Sequence, residues 1–286
     1  MHIRVNGTRL FFDMEGMGWV PEGPILRQKP TLLLLHGGPG FDHSTFKPAF
    51  SALADLVQIV YLDHRGMGRS DPGPPDRWTL AQWGEDVRAF CDALGIERPI
   101  VFGQSFGGFV AQAYATRYPA HPAKLILSST AARGDLQRIL AAFERRAGPG
   151  VRAVAERFWR DINAQTVADY VRECLPLYTV RPAADLDAAA RRIFRLEVLQ
   201  HFSGRQGEYW RMDFTAALSR IRCPTLVLAG SQDPVTPLAD SEDIVAALPP
   251  GLARFIAFPE CGHGVFRDDP EHAFEVIRAF IAADER

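Results

Sequence analysis

Short unbroken apolar runs alternate along this chain with longer stretches whose apolar residues recur every three or four positions. The runs at 31–35 (TLLLL), 57–62 (VQIVYL), 99–103 (PIVFG), 124–128 (KLILS), 225–229 (TLVLA) and 254–258 (RFIAF) read as strands. Continuous apolarity over five or six residues, rather than strict alternation, fits strands covered on both faces, as in a parallel sheet. The stretches at 80–94, 106–118, 238–248 and 270–283 read as helices, and the alternation predicts a doubly wound, mostly parallel α/β sheet. Near the start, 3–5 and 10–13 flank Asn6-Gly7, a hairpin signal, and predict an antiparallel edge. The alternation stops after 124–128. Residues 132–215 hold no convincing strand and are rich in Ala, Arg, Glu and aromatics, including Phe158, Trp159, Tyr170 and Tyr178. They read as a helical lid inserted into a core domain made of 1–131 and 216–286.

Composition narrows the field. Of 286 residues, 47% are hydrophobic and 23% charged, which is ordinary for a globular protein. The formal net charge is −2, without Lys/Arg runs, so neither nucleic acid nor a membrane surface is an expected partner. No apolar run reaches membrane-spanning length and the first residues carry no signal-peptide core, so a cytoplasmic location is the expectation. Cys91, Cys174, Cys223 and Cys261 are far apart, which argues for buried free thiols over a zinc or redox motif.

Gly103-Gln104-Ser105-Phe106-Gly107 fits G-x-S-x-G, directly after one predicted strand and opening a predicted helix. A serine at the apex of such a turn needs strained backbone angles, and close approach of strand and helix leaves room only for glycine at 103 and 107. The amide of Phe106 then lies at a helix N-terminus, where partial positive charge can hold an oxyanion.

A serine hydroxyl needs a base to become a nucleophile. Eight histidines compete. His2, His43, His121 and His272 stand in polar contexts and read as surface residues; His201 falls in the insertion; His36 and His64 follow strands. His263, between Gly262 and Gly264 and just after 254–258, has the freedom to aim its ring at the carboxyl edge of the sheet, where open α/β sheets place their sites. The acid expected to orient it is Asp233, on the loop after 225–229; Asp240 and Glu242 fall inside the next helix. The order Ser105…Asp233…His263 is that of α/β-hydrolases. After the first parallel strand, His36-Gly37-Gly38-Pro39-Gly40 can bring an N–H toward a developing negative charge. The amides of Gly38 and Phe106 are the expected oxyanion donors, with Gly37 in reserve. No phosphate-loop pattern and no H-E-x-x-H spacing occurs, so neither a cofactor nor a metal is implied.

HGGPG at 36–40, Asp63-His64-Arg65-Gly66-Met67-Gly68-Arg69-Ser70, GQSFGG at 103–108, Asp233 and His263 together resemble the proline iminopeptidase branch of the α/β-hydrolase family. The resemblance implies the same Ser–Asp–His triad, a helical cap over the site, and a small-molecule or short-peptide substrate. Asp63 to Ser70 reads as a structural turn rather than a catalytic element, in which Arg65 is either a loop brace or the partner of a carboxylate under the site. The branch also includes esterases, lactonases and other amidases. It usually has tryptophan after the serine and glycine before it, where this chain has Phe106 and Gln104. It also uses cap carboxylates to hold a free amine, and Glu197, ahead of His201-Phe202, is the carboxylate here similar to that pattern. Gly37, Gln104 and Glu197 are therefore the candidate substrate-binding residues. An amide-cleaving aminopeptidase and an esterase or lactonase both remain open, as does a non-catalytic ligand sensor on the same fold.

Overall fold

The structure is a computed structural model and describes residues 1–182 and 187–283. Ten strands form among the described residues: β1 (His2–Val5), β2 (Thr8–Glu15), β3 (Trp19–Glu22), β4 (Ile25–Gln28), β5 (Thr31–Leu35), β6 (Gln58–Leu62), β7 (Ile100–Gln104), β8 (Lys124–Ser128), β9 (Thr225–Gly230) and β10 (Ala253–Phe258). Eight of them make one sheet in the order β1-β2-β6-β5-β7-β8-β9-β10. From β6 to β10 every neighbour is parallel, while β1 and β2 add the antiparallel edge that Asn6-Gly7 predicts. The expected strands and helices all form, with ends displaced by a residue or two, where sequence patterning is least sharp. The β3–β4 hairpin, a separate two-stranded sheet, has no counterpart in the sequence reading. Its Trp19, Ile25 and Leu26 are exposed, so it carries none of the buried patterning that marks a strand.

The helices are α1 (Leu80–Leu94), α2 (Phe106–Arg117), α3 (Leu136–Arg160), α4 (Ala164–Glu173), α5 (Ala188–Arg191), α6 (Leu196–Ser203), α7 (Leu238–Ala247), α8 (Val265–Asp268) and α9 (Pro270–Ala282). Continuous apolarity in the strands is explained by a core on each face. Leu33, Leu35, Val60, Leu62 and Val101 pack with α1 and α2, while their neighbours Leu32, Leu34, Ile59, Tyr61 and Phe102 pack with α9 and the turns around Phe46 and Phe50. Each such side chain, fully withdrawn from water, contributes on the order of 1.5–3 kcal/mol before entropy is counted. The segment between the adjacent strands β8 and β9 is helical, α3 to α6, with α3 broken at Gly148-Pro149. No helix among the described residues is long and apolar enough to cross a membrane. All four cysteines are buried, and none is in a disulfide.

Candidate active site

Ser105 occupies the turn between β7 and α2 with φ 55° and ψ −121°, a region that non-glycine residues enter only where the surroundings hold them there. They do so here. The Ser105 N–H donates to Ser128 O at 3.0 Å, and the Ser105 carbonyl accepts from the Thr130 hydroxyl at 2.8 Å and the Gly108 N–H at 2.8 Å. The flanking glycines are dictated by packing. A Cβ on Gly107 would stand 1.9 Å from the Leu35 carbonyl oxygen, and one on Gly103 would stand 2.5 Å from the Gly107 oxygen. Phe106 opens α2, so its N–H is one of the helix's first, which have no acceptor within the helix.

Asp233 and His263 come from the loops after β9 and β10. The Asp233 carboxylate is buried and accepts four hydrogen bonds. Oδ1 takes the N–H groups of Val235 (2.8 Å) and Thr236 (2.9 Å); Oδ2 takes the Thr236 hydroxyl (2.8 Å) and His263 Nδ1 (2.8 Å). A carboxylate only accepts, so the ring proton of His263 belongs on Nδ1 and leaves Nε2 as the free acceptor. The His263 backbone is fixed from the helical segment: its N–H donates to Tyr178 O at 2.6 Å, and the two rings meet edge to face at 5.1 Å. Asp268 ties the same two pieces together, accepting from Gly262 N–H (2.7 Å), Val180 N–H (3.0 Å) and Arg181 N–H (3.2 Å). Arg146 of α3 reaches Leu177 O (3.0 Å), Thr179 O (3.2 Å) and the Gln232 side chain (2.5 Å) beside Asp233. Burial pushes the Tyr178 and Tyr170 hydroxyls up from the usual phenol range, so they stay neutral and share a 2.9 Å hydrogen bond.

These loops surround a cavity of about 410 Å³. Gly37, Gly38, Gln104, Ser105 and His263 line it, with Asp233 behind His263. Gly38 has φ 143°, a backbone state that glycine permits, and a Cβ on Gly37 would lie 2.6 Å from Gln104 Oε1. The remaining wall is apolar and comes largely from the helical segment, including Phe158, Trp159, Tyr170 and Leu175. Among the described residues no carboxylate lines the cavity, while two arginines, Arg192 and Arg267, do. Glu197 is not in the wall; its side chain is 57% exposed, 3.8 Å from Arg195.

Other sequence expectations meet the structure as follows. His43 and His121 are buried, not at the surface. His43 Nδ1 lies 2.7 Å from Asp63, and His121 pairs with the Tyr114 hydroxyl. Arg65 grips the buried carboxylate of Asp86 with two hydrogen bonds, at 2.7 and 2.8 Å, as a brace. His36 is fully buried, which pushes its pKa down; Nδ1 lies 2.8 Å from Gly37 O and Nε2 accepts from His64 N–H, which holds the 36–40 loop in place. Asp42, His43 and Asp63 place three metal-ligand atoms within 4.8 Å of one another. Those atoms are already engaged: Asp63 with His43 and the Arg69 N–H, Asp42 with Arg69 and Ser44. Arg146, Asp268, Arg192 and Arg267 are site features that sequence reading passed over. None belongs to a motif, and only proximity to His263 could have drawn attention to Asp268 and Arg267.

Residues 30–270 match the family model of the alpha/beta hydrolase fold. The chain is 32% identical over 269 residues to a proline iminopeptidase of Levilactobacillus brevis, covering 89% of each chain. The solved proline iminopeptidase of Mycobacterium smegmatis superposes with a TM-score of 0.76 at 25% identity, covering 98% of this chain and 97% of that one. A thermophilic esterase from Thermogutta terrifontis superposes with a TM-score of 0.67 at 26% identity, covering 98% of both. The chain therefore belongs to the α/β-hydrolase fold family and is a hydrolase.

Proposed function

We propose that Ser105 is the nucleophile, His263 its base and Asp233 the acid that orients the base, in a hydrolase that cleaves a small ester, lactone or amide through an acyl-enzyme. The observation that carries this reading is the His263–Asp233 hydrogen bond of 2.8 Å in the wall of the cavity that Ser105 enters from its strained turn. In the first half-reaction the Ser105 oxygen bonds to the carbonyl carbon while its proton passes to His263 Nε2. The amides of Gly38 and Phe106 take the oxyanion; a single such donor is worth about 3–4 kcal/mol in comparable sites. Collapse expels the leaving group, which receives that proton. In the second half-reaction water gives a proton to His263, attacks the acyl carbon and releases the acid, restoring the serine hydroxyl. Asp233 holds the ring through Nδ1 and stabilises the imidazolium.

Residues 132–215 act as the cap in this reading, since they supply most of the apolar wall. Gln104 and Gly37 border the substrate beside the serine. The cavity favours an ester or lactone over an aminoacyl substrate. A free amine needs a carboxylate partner; none lines the wall among the described residues, and Glu197 faces solvent. The aminopeptidase alternative is supported by the proline iminopeptidase relatives. The buried cysteines, none of them in a disulfide, fit a reducing compartment, which supports a cytoplasmic location. A fluorophosphonate probe tests the enzymatic reading: labelling of the wild type that vanishes in Ser105→Ala supports it, and an unlabelled wild type makes the protein a ligand sensor. Turnover of 4-nitrophenyl butyrate but not of proline-4-nitroanilide selects the esterase reading; the reverse selects the aminopeptidase.

A further inference from the structure

Two guanidinium groups stand in a largely apolar wall that holds no carboxylate among the described residues. Arg192 is half-buried and lies over the Phe41 ring at 5.0 Å, and Arg267 lies over Phe266 at 4.7 Å. Arg267 also makes two long hydrogen bonds, at 3.4 Å, to the carbonyls of His263 and Thr45. Among the described residues no carboxylate stands within ion-pair distance of either. The nearest acids act on them only at longer range and are committed elsewhere: Asp42 to Arg69 and Ser44, Asp268 to the N–H groups of Gly262, Val180 and Arg181. The two arginines also oppose each other. Chain packed around the Arg267 head group, and then repulsion from Arg192, push its pKa down to about 10, so both are cationic at neutral pH. Two like charges that face one another with no carboxylate beside them give this part of the wall a positive potential, which favours an anionic ligand. Their surroundings place them where the cavity meets solvent: Arg267 itself is exposed, and the lining residues Phe194 and Val171 are 40% and 51% exposed.

We infer that Arg192 and Arg267 form an anion-binding subsite at the cavity mouth, and that the substrate carries a carboxylate at the end of a short apolar chain. The substrate claim rests on the hydrolase reading above; the subsite does not. One guanidinium pairs with a carboxylate through two parallel N–H groups, and the second adds charge complementarity. Hydrophobic walls set the chain length and the arginines select the charged end.

The test is calorimetric titration of Ser105→Ala with glutarate and adipate, each against its uncharged diamide, in low-salt buffer. The expected result is at least tenfold tighter binding of a dicarboxylate than of its diamide. That preference should fall to about one in the Arg192→Gln/Arg267→Gln double variant, and a preference should persist in Arg192→Lys/Arg267→Lys. Thermal unfolding of each variant shows that it is folded. Equal binding of dicarboxylate and diamide, or a preference that survives the Gln double variant, overturns the subsite. In the active wild type, the ratio of kcat/KM for mono-(4-nitrophenyl) glutarate over 4-nitrophenyl butyrate should exceed ten and collapse toward one in the Gln double variant. Fluorophosphonate labelling of Ser105, run alongside, reports on the hydrolase reading alone, so failure of one reading is distinguishable from failure of the other.

Discussion

Replacing Asp233 by Asn tests the orienting carboxylate with almost no change in volume. In the native site Oδ1 receives two backbone N–H groups and Oδ2 receives one hydroxyl and the imidazole Nδ1–H, all between 2.8 and 2.9 Å. An asparagine must place an NH2 at one of these two positions. At the Oδ1 position it would face two backbone donors, which cannot reverse. At the Oδ2 position it faces the Thr236 hydroxyl, which can rotate to accept, and His263 Nδ1, which can accept only by moving its proton to Nε2. Leaving a buried donor unsatisfied costs about 1–3 kcal/mol, so the second arrangement prevails. Nε2 then carries a hydrogen toward the cavity and cannot take the proton of Ser105. The comparable change in a serine protease triad lowers kcat about 10⁴-fold, equivalent to about 5.4 kcal/mol at 1.36 kcal/mol per decade. The same order is expected here for kcat/KM on 4-nitrophenyl butyrate and for the rate of fluorophosphonate labelling, with a thermal midpoint showing that the fold is kept. A folded Asp233→Asn variant within tenfold of the wild type would refute the tautomer argument and the assignment of Asp233.

Other substitutions probe the supports. Gly107→Ala forces a methyl to within 1.9 Å of the Leu35 carbonyl, a backbone atom that cannot swing aside, so denaturant unfolding should show a loss of at least about 3 kcal/mol; wild-type stability would mean that α2 can slide on the sheet. Asp268→Ala strips the buried Gly262 N–H of its acceptor, and a stability loss of about 1–3 kcal/mol is expected together with a fall in kcat, because the His263 loop loses its tie to the segment after Tyr178. An unchanged kcat would show that the Tyr178 carbonyl suffices. Glu197→Gln, altering an exposed side chain outside the cavity, should leave kcat/KM within twofold on every ester or anilide that is turned over; a larger loss confined to aminoacyl substrates would make it the amine anchor after all. Asp240 is buried, which, together with Asp233 and Asp243 and against the pull of Arg138, raises its pKa to about 6 from 3.8. The folded state holds that proton more tightly than the unfolded state. The stabilisation is therefore present at low pH and is lost as pH rises through 6, about 1.4 kcal/mol of it between pH 5 and 7.5. Urea unfolding should show the wild type losing that much relative to Asp240→Asn over the same interval, and a constant difference would place the Asp240 pKa in the ordinary range.

How far the sequence could be read follows from which interactions are local. Strands β5 to β9 were legible because burial on both faces writes nearly the same signal into every residue of the run, and no partner is needed to see it. The Ser105 turn was legible because its strain and its crowding each demand a residue type at a fixed spacing. His43 and His121 were misread for the opposite reason: burial of a polar ring is decided by a distant partner, Asp63 or Tyr114, and leaves no periodic trace. The exposed β3–β4 hairpin, joined by backbone hydrogen bonds and an exposed Arg27–Glu22 ion pair, writes no apolar pattern either. The helical segment between β8 and β9 combines these difficulties. Its composition and lack of strand runs announce helices, but which faces meet the loops of Asp233 and His263 is settled by single long-range contacts, such as Tyr178 O to His263 N–H and Arg146 to Gln232. The chemistry of this site is thus encoded in short motifs on the sheet, which constrain backbone geometry and can be recognised anywhere. The lining of its cavity, in contrast, is set by tertiary contacts of the inserted helices, and Arg192 and Arg267 belong to no motif, so only the assembled cavity brings them to notice.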